Sequence, residues 1–275
     1  NKNAELAEQE AEIKLQNSQR NLLLALASLI LIIAFGLYHR FTAIKAHNHV
    51  LEEKNNIIKE EKQRSEELLL NILPAAIADE LKDYGAAETK YYREATVLFT
   101  DFKNFSEISK KMTPEKLVAD LDHCFKNFDF ICEKYGLEKI KTIGDAYMCA
   151  GGLPKPKNGH VYDVIRAALE MQEFLMQWRL EKAENNEAAF EARLGIHTGP
   201  IIAGVVGMKK FAYDIWGDTV NVASRMETSG EPGKVNISET TYQLVKDKFD
   251  CEYRGKVPAK NFGEIDMYFV EKAVA

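Results

Sequence analysis

The stretch EATVLFTDFKNFSEIS, residues 94–109, decides the fold because it joins a buried strand to the start of a helix. Its first part, EATVLFTDF, is a short run of β-branched and aromatic residues, which predicts a strand from Glu94 to the region of Asp101. The residues that follow predict a short helix from Asn104 to Lys110, and the plainest interpretation of Asp101 is a cap for that helix. The backbone N–H groups at this helix start could also cradle a phosphate group.

Downstream of this stretch, helical and strand patterns alternate. The predicted elements are a helix from Thr113 to about Tyr135 before Gly136, two strands in LEKIKTIGDAYMCAGG joined at Ile143-Gly144-Asp145, a helix from about His160 to Lys182, a second hairpin in EARLGIHTGPIIAGVVG turning at Thr198-Gly199-Pro200, and a helix that starts at Gly217-Asp218. The order is β-α-β-β-α-β with additions, which predicts an α+β, ferredoxin-like sandwich. This fold by itself says little about function.

Upstream, the segment LLLALASLILIIAFGLY from Leu22 to Tyr38 carries no charge and is bracketed by Arg20 and Arg40. Its length and composition predict a single transmembrane helix. A cleaved signal peptide is the alternative, but a long charged helical run precedes the segment and no small-residue cleavage site follows it. Basic residues on the two flanks nearly balance, so the positive-inside count does not give the orientation.

Between this span and the globular part, apolar residues recur every seven positions with polar interruptions, which predicts a short parallel coiled coil between two copies. A single amphipathic surface helix is the alternative. Pro74 must end or kink that helix, and a second short helix is expected from about Ala75 to Lys82. The predicted organisation is a charged juxtamembrane helix at 1–20 that ends a missing upstream region, a transmembrane helix at 21–39, a coiled-coil helix at 40–73, a transducing element at 74–92 and a catalytic domain at 93–275.

Composition narrows the function classes. The chain has 275 residues, of which 46% are hydrophobic, so it can bury one full-sized core and carry an extension. A net charge of -6 supplies no excess of positive charge for a nucleic-acid backbone, so a nucleic-acid partner is not expected. The four cysteines show no C-x-x-C spacing and lie among apolar neighbours, which favours reduced thiols over a disulfide framework or a zinc site.

Two aspartates are candidates for chemistry. Asp101 ends an apolar strand and Asp145 lies in the next hairpin; in a β-α-β-β unit their strands are neighbours, so both carboxylates can converge at one end of the sheet. Magnesium prefers oxygen ligands, and two carboxylates together with the phosphates of a nucleotide would suit it. As isolated turn residues, however, both would more often be structural.

Four segments in order, VLFTDFKNFSEIS, EKIKTIGDAYMCAGG, ARLGIHTGPIIAGVVG and YDIWGDTVNVASRMET, resemble the catalytic domain of class III nucleotidyl cyclases. The resemblance covers residues 90–272, residues 66–92 resemble the transducing element that precedes this domain, and the whole resembles a membrane-anchored bacterial-type adenylate cyclase. It implies a head-to-tail homodimer whose two active sites each use both subunits, with two Mg²⁺ or Mn²⁺ ions per site. Asp101, Asp145 and the backbone carbonyl of Phe102 would bind the metals.

The same resemblance assigns Lys141 and Asp214 to reading the base. Adenine offers an acceptor at N1 and a donor at its amino group, which a lysine ammonium and a carboxylate complement, whereas guanine reverses that polarity. Guanylate cyclases of this family carry a glutamate and a cysteine or similar residue at these two places, so the resemblance implies ATP. Asn221 and Arg225, four apart on one helix face, would orient the ribose and stabilise charge at the α-phosphate in the transition state.

Further residues correspond to the triphosphate site. The resemblance assigns this role to Asn104, Phe105 and Ser106 at the helix start and to two lysines, Lys209 and Lys260. Lys209 stands where many relatives have arginine, so the charge remains but the bidentate fork is lost. Asn261-Phe262 replaces the glycine-lysine pair common after the second lysine, which puts the geometry of that loop in doubt.

The expected function is a regulated, single-pass membrane adenylate cyclase with ATP, a second copy, the lipid bilayer and an unknown upstream sensor as partners and with its catalytic domain in the cytoplasm. Three alternatives are weighed against it, of which the first two stay open. The first is a guanylate cyclase and the second is a receptor tail that binds nucleotide without catalysis. The third is an RNA-binding ferredoxin-like sheet. It would require exposed aromatic residues and a basic face, which these strands do not supply.

Overall fold

The computed structural model describes residues 2–185, 187–207, 211–259 and 263–273, and the side chains of residues 2–5, 7 and 259 are not described. The chain forms two units, residues 1–68 and residues 69–275. Lys209, Lys260 and the Asn261-Phe262 pair lie outside the described residues. The predictions made for them therefore stay predictions.

The first unit is built on one continuous helix, α1, which spans Lys2–Leu70. Part of α1 is long and apolar enough to cross a membrane, and its large apolar side chains are exposed. An exposed apolar surface of this length is what a lipid-facing helix requires. The boundaries predicted within residues 1–73 are changes of composition along this helix, and they stay predictions.

The second unit alternates helices and strands. The elements are α2 (Ala75–Tyr84), β1 (Lys90–Phe102), α3 (Phe105–Ser109), α4 (Pro114–Tyr135), β2 (Glu138–Ile143), β3 (Ala146–Gly151), α5 (His160–Glu184), β4 (Ala192–Val206), β5 (Ala212–Trp216), α6 (Asp218–Thr228), β6 (Val235–Ser238), α7 (Glu239–Val245), β7 (Phe249–Ala259) and β8 (Gly263–Ala273). Their order confirms the predicted β-α-β-β-α-β core with additions.

The strands form one sheet in the order β2-β3-β1-β4-β6-β8-β7, and β5 pairs with β4 outside this path. The first four strands are antiparallel neighbours in the ferredoxin-like order. One face carries the larger core, which includes Phe128 of α4 and Met171 of α5. The other face carries a second core with Ile77 of α2, Ile215 of β5 and Ala223 of α6. The sheet is therefore covered differently on its two faces.

The ends of α4 confirm the local signals of the sequence. Thr113 has extended backbone geometry and its side chain accepts a hydrogen bond from the N–H of Lys116 at 3.3 Å. At the other end, Gly136 adopts φ 67°, a left-handed conformation that costs a glycine little, and the helix stops there. Because both caps are local, they could be predicted from neighbouring residues alone.

The strand expected to begin at Glu94 begins earlier, at Lys90. Residues 90–92 pair with residues 201–203 of β4 beyond a register shift between Tyr92 and Ala95. The alternation of side chains between the two faces of the sheet is lost at this irregularity. The pattern of residues before Glu94 therefore did not predict a strand. The start predicted for β1 was therefore wrong by four residues.

The hairpin predicted at Thr198-Gly199-Pro200 was wrong. β4 continues through these residues as one strand from Ala192 to Val206, and it pairs with β5 only beyond them. Pro200 has no N–H for the ladder, but its carbonyl accepts a hydrogen bond from the hydroxyl of Thr219 at 2.6 Å. The irregular stretch of β1 lies opposite this point. The glycine and proline thus mark an irregularity inside the strand instead of its end.

Candidate active site

Asp101 and Asp145 lie at the same edge of the sheet. Asp101 is the second-last residue of β1, and Asp145 stands in the turn between β2 and β3, the strand that pairs with β1. The pKa of the Asp145 carboxyl is raised, first by burial and then by the negative charge of Asp101, while Arg193 lowers it. The two carboxylates therefore lie near enough to each other for the charge of Asp101 to act on Asp145.

The donor atoms at this edge suit a hard cation. Carboxylate and carbonyl oxygens are the ligands that Mg²⁺ and Mn²⁺ prefer, and Phe102 supplies a backbone carbonyl next to Asp101. Within the described ranges no group of three or more His, Cys, Asp or Glu side chains could hold a metal. A metal ion at this edge would therefore depend on the two aspartates, the backbone, water and the phosphates of a substrate.

Two residues that the sequence analysis missed, Arg193 and Glu227, hold this edge together. The guanidinium of Arg193 donates from Nη2 to Oδ2 of Asp101 at 2.8 Å and from Nε to Oε1 of Glu227 at 2.9 Å. Burial raises the pKa of Glu227 to about 7, with Arg193 acting in the opposite direction. In the sequence, only the position of an arginine within the apolar run ARLGIH pointed to a role for Arg193. Its partner Asp101 becomes evident once the register of β1 and β4 is known.

The structure brings Lys141 and Asp214 into direct contact. Nζ of Lys141 on β2 donates to Oδ2 of Asp214 on β5 at 2.5 Å. The other carboxylate oxygen of Asp214 accepts from the backbone N–H of Ile215 at 2.9 Å, which fixes the orientation of the carboxylate. The side chain of Lys141 is 40% exposed, and that of Asp214 is 17% exposed. The ammonium group is thus accessible to a ligand while the carboxylate is partly enclosed.

Asn221 and Arg225 lie on α6, as their spacing predicts. Asn221 is exposed, and Nε of Arg225 is buried without a hydrogen-bond partner within the described part of the chain. Glu227, two residues further along, faces the sheet and contacts Arg193. At about 100° per residue, Arg225 and Asn221 lie about 160° and about 120° around the helix axis from Glu227, so neither shares the face that contacts Arg193.

The start of α3 matches its prediction only in part. Asn104 has φ 55°, a left-handed conformation that asparagine tolerates, and α3 begins at Phe105. The Phe105 ring lies 5.7 Å from that of Phe190, so this side chain faces the core. The N–H groups at this helix start are the predicted phosphate cradle, but that of Lys103, just before it, donates to the carbonyl of Glu191 at 2.8 Å.

A cavity of about 600 Å³ opens elsewhere, beside the start of β1, and its lining includes Tyr92, Pro154 and His160. Among the described residues, neither the two aspartates nor the Lys141–Asp214 pair lines it. The candidate side chains are instead partly buried, with Asp101 27% and Asp214 17% exposed. A single copy of the chain thus presents parts of a site without enclosing it.

Comparison with known proteins identifies the family. Residues 87–272 match the family model of the adenylate and guanylate cyclase catalytic domain. The chain belongs to the class III nucleotidyl cyclases. It is 39% identical over 215 residues to an adenylate cyclase of Mycobacterium tuberculosis, covering 78% of this chain and 48% of that protein. It is also 37% identical over 227 residues to human guanylyl cyclase C, covering 81% of this chain and 21% of that protein.

Among solved structures, the guanylate cyclase domain of RhGC from Catenaria anguillulae in complex with GTP is similar, with a TM-score of 0.62 and 31% sequence identity. That similarity covers 67% of this chain and 100% of that domain. The chain spans about half the length of the mycobacterial relative and about a fifth of the human one. Because adenylate and guanylate cyclases are both among its relatives, family membership leaves the choice of nucleotide to the residues of the site.

Proposed function

We propose that this cyclase converts ATP to 3′,5′-cyclic AMP and pyrophosphate. The observation that carries the proposal is the contact between Lys141 and Asp214. A lysine ammonium donates to the N1 acceptor of adenine, and a carboxylate accepts from the amino group of adenine. Guanine presents a donor at N1 and an acceptor at O6, so the same pair would leave guanine with mismatched groups. Unpaired polar groups in a partly enclosed site disfavour a ligand strongly.

The proposed active site is composite, with Asp101 and Asp145 from one copy and Lys141, Asp214, Asn221 and Arg225 from a second copy. The direction of α6 supports this arrangement. Glu227 contacts Arg193 at the carboxylate edge, while Arg225 and Asn221 lie about 160° and about 120° around the helix axis from Glu227. These two residues would therefore reach the metal-binding carboxylates of a partner and not those of their own chain.

An exposed apolar row supports a second copy as the partner. Tyr91 on β1, Ile202 on β4 and Trp216 on β5 are neighbours across the sheet, and their exposed fractions are 66%, 43% and 38%. Exposed apolar surface of this kind is typical of interfaces, and large aromatic residues are enriched there. Since one copy presents only part of a site, a second copy is the partner that this surface fits. Rotational symmetry would then produce two identical sites.

In the proposed reaction, the 3′-oxygen of the ribose attacks the α-phosphate in line and pyrophosphate leaves. Bound Mg²⁺ or Mn²⁺ would supply charge neutralisation at the phosphates and favour ionisation of the attacking hydroxyl. Asn221 would orient the ribose and Arg225 would stabilise the charge that develops at the α-phosphate. Asn104, Phe105 and Ser106, together with Lys209 and Lys260, would hold the triphosphate.

We place the catalytic unit on the cytoplasmic side of a membrane, where ATP, magnesium and reduced thiols coexist. The apolar part of α1 supports an anchor. A homodimer would bring two copies of α1 together, and their heptad spacing would let a sensor upstream change the geometry of the composite sites. Removal of residues 1–49 should leave catalysis and abolish such a response; a truncated dimer that still responds would contradict this arrangement.

The proposal is tested by measuring cyclic AMP and cyclic GMP from ATP and GTP, with Mg²⁺ and with Mn²⁺, over a range of protein concentrations. We expect turnover of ATP to exceed that of GTP, and specific activity to rise with protein concentration as dimers form. A preference for GTP would make the protein a guanylate cyclase. Binding of ATP without any cyclic product would make it a nucleotide-binding receptor tail.

A further inference from the structure

The cavity of about 600 Å³ lies at the end of β1 that is opposite the carboxylate edge. Its walls come from residues 90–94 at the start of β1 and from the segment 154–160 between β3 and α5. Asp101 stands near the other end of β1, which places the cavity roughly 30 Å from the proposed metal ligands. A ligand in this cavity would therefore be distinct from the nucleotide of the proposed reaction.

Contacts within the protein hold the cavity open. The hydroxyl of Tyr92 donates to the carbonyl of Pro154 at 2.8 Å and so joins β1 to the segment that follows β3. The side chain of His160 is 7% exposed, and its Nδ1 lies 3.1 Å from Oγ1 of Thr96. A Cβ atom at Gly152 would stand 2.9 Å from the imidazole ring, so this ring packs closely against the backbone. The cavity is therefore formed before any ligand arrives, as most small-molecule sites are.

The charges around the cavity favour an anion. Three cationic side chains line it, those of Lys90, Arg93 and Lys157, against the one carboxylate of Glu94. Because the whole chain has a net charge of -6, this excess of positive charge is local. Within the described part of the chain, the guanidinium of Arg93 is exposed and has no hydrogen-bond or ion-pair partner. A guanidinium can bind two oxygens of a phosphate or carboxylate at once.

Other walls of the cavity are rings. Tyr91, Tyr92, Pro154 and Pro156 all line it, and Tyr91 also belongs to the exposed apolar row at the proposed interface. Covering such rings with a flat ligand removes apolar surface from water. A volume of about 600 Å³ is typical of sites for organic molecules and is far more than an inorganic ion fills. The ligand class that fits is thus a small organic anion with a flat ring.

Two of the three cations also contact acids that do not line the cavity. Nζ of Lys90 contacts Oε1 of Glu80 on α2, and Nζ of Lys157 lies 2.7 Å from Oδ2 of Asp163 on α5. The side chains of Lys90 and Glu80 are 40% and 26% exposed, and ion pairs at such positions stabilise a protein little. An incoming anion can therefore compete with Glu80 for Lys90, and its binding would loosen the contact between β1 and α2.

We propose that this cavity binds a small, planar organic anion through Arg93, Lys90 and Lys157, in competition with Glu80. Because α2 lies in the transducing element predicted at 74–92, the ligand would change how that element is held against the catalytic domain. The site is regulatory in this scheme and takes no part in the chemical step. It depends neither on the choice between ATP and GTP nor on a bound metal ion.

The experiment measures the binding of 4-nitrophenyl phosphate to the full chain in zwitterionic lipid nanodiscs by ligand-observed NMR. We expect inorganic phosphate to bind about 10-fold more weakly, because it leaves the ring walls uncovered. Arg93→Gln and Lys90→Gln should each raise the dissociation constant of the aryl phosphate about 10-fold. Lys155→Gln makes the same change of charge in the same segment, at a residue that does not line the cavity. This matched control should leave binding unchanged.

Two further variants separate this site from misfolding and from the nucleotide site. Glu80→Gln should lower the dissociation constant about threefold, because Lys90 loses its competing anion, and misfolding would not produce such a gain. Lys141→Gln should leave binding of the probe unchanged. Thermal unfolding identifies any misfolded variant.

Three results would overturn the inference. The first is no binding of the aryl phosphate by the wild type at millimolar concentration, or equal binding by wild type, Arg93→Gln and Lys90→Gln. The second is a loss of binding in Lys141→Gln but not in Arg93→Gln, which would place the probe in the nucleotide site. The third is a loss of binding as dimers form, which would assign the cavity to the interface between two copies. None of these results depends on whether ATP is turned over.

Discussion

The carboxylate edge and the Lys141–Asp214 pair differ in how the fold holds them. Asp101 is held by strands that pair directly and by Arg193, whose other partner lies on α6. Lys141 and Asp214 come from β2 and β5, which are not neighbours in the sheet, and their contact involves a half-exposed ammonium. The carboxylate edge therefore lies on strands that pair directly, whereas the Lys141–Asp214 contact joins two strands that are not neighbours in the sheet. Catalytic competence should be harder to alter than nucleotide choice.

The largest expected effect comes from replacing, in separate variants, Asp101 at the carboxylate edge and Arg225 on α6. Asp101→Ala and Arg225→Ala should each lower activity by at least ~10²-fold, because each removes charge stabilisation from both composite sites. Mixed in equal amounts with random exchange, the two variants should recover about a quarter of wild-type activity, since half of the dimers hold one intact site. Cyclic AMP production by the mixture measures this. Verified heterodimers without recovery would show that the sites are not shared.

The second test addresses the Lys141–Asp214 pair. Lys141→Glu combined with Asp214→Cys should shift the ratio of ATP to GTP turnover toward GTP by about 10²-fold, as expected from the energy of a well-placed base contact. Lys141→Gln should lower ATP turnover while Lys139→Gln, which alters a neighbouring lysine paired with Asp129, should not. Equal losses in both glutamine variants would argue against a role of Lys141 in reading the base.

The third test compares the two halves of β4 through their glycines. Gly195→Ala forces a Cβ against the backbone of α6 at 1.9 Å, whereas Gly204→Ala meets the side-chain oxygen of Thr89 at 3.2 Å. We expect Gly195→Ala to lower the free energy of unfolding by about 2 to 3 kcal/mol and Tm by several degrees. Gly204→Ala should cost less than about 1 kcal/mol, because a side chain moves more easily than a backbone. Thermal unfolding of both variants checks the difference.

The smallest expected effect concerns His197, in the middle of β4. Burial lowers its pKa from 6.5 to about 4, and its Nδ1 lies 2.6 Å from Oγ of Ser238. Because the unfolded state binds a proton below pH 6.5 and the folded state does not until about pH 4, stability should fall as the pH drops through this window. His197→Asn should show a smaller loss of Tm between pH 7 and pH 5. An identical loss in wild type and variant would assign the pH dependence to other groups.

Local signals in the sequence were sufficient for several elements. The caps of α4 and the β2–β3 hairpin depend on residues close in the chain, and the structure confirms them. The prediction of a turn at Thr198-Gly199-Pro200 was wrong because contacts with distant parts of the chain decide the conformation there. The same residues favour a turn in isolation, but pairing with β1 on one side and the hydrogen bond from Thr219 keep the strand continuous.

The sequence by itself determined the β-α-β-β-α-β order, the apolar helix near the start and the family. Periodicity, helix caps and ordered motifs each depend on residues that are close together in the chain. It also singled out Asp101, Asp145, Lys141 and Asp214 as candidates. Only the tertiary structure decided that Arg193 joins Asp101 to Glu227. These contacts depend on strand register and on the rotation of α6 against β4, which no local pattern specifies.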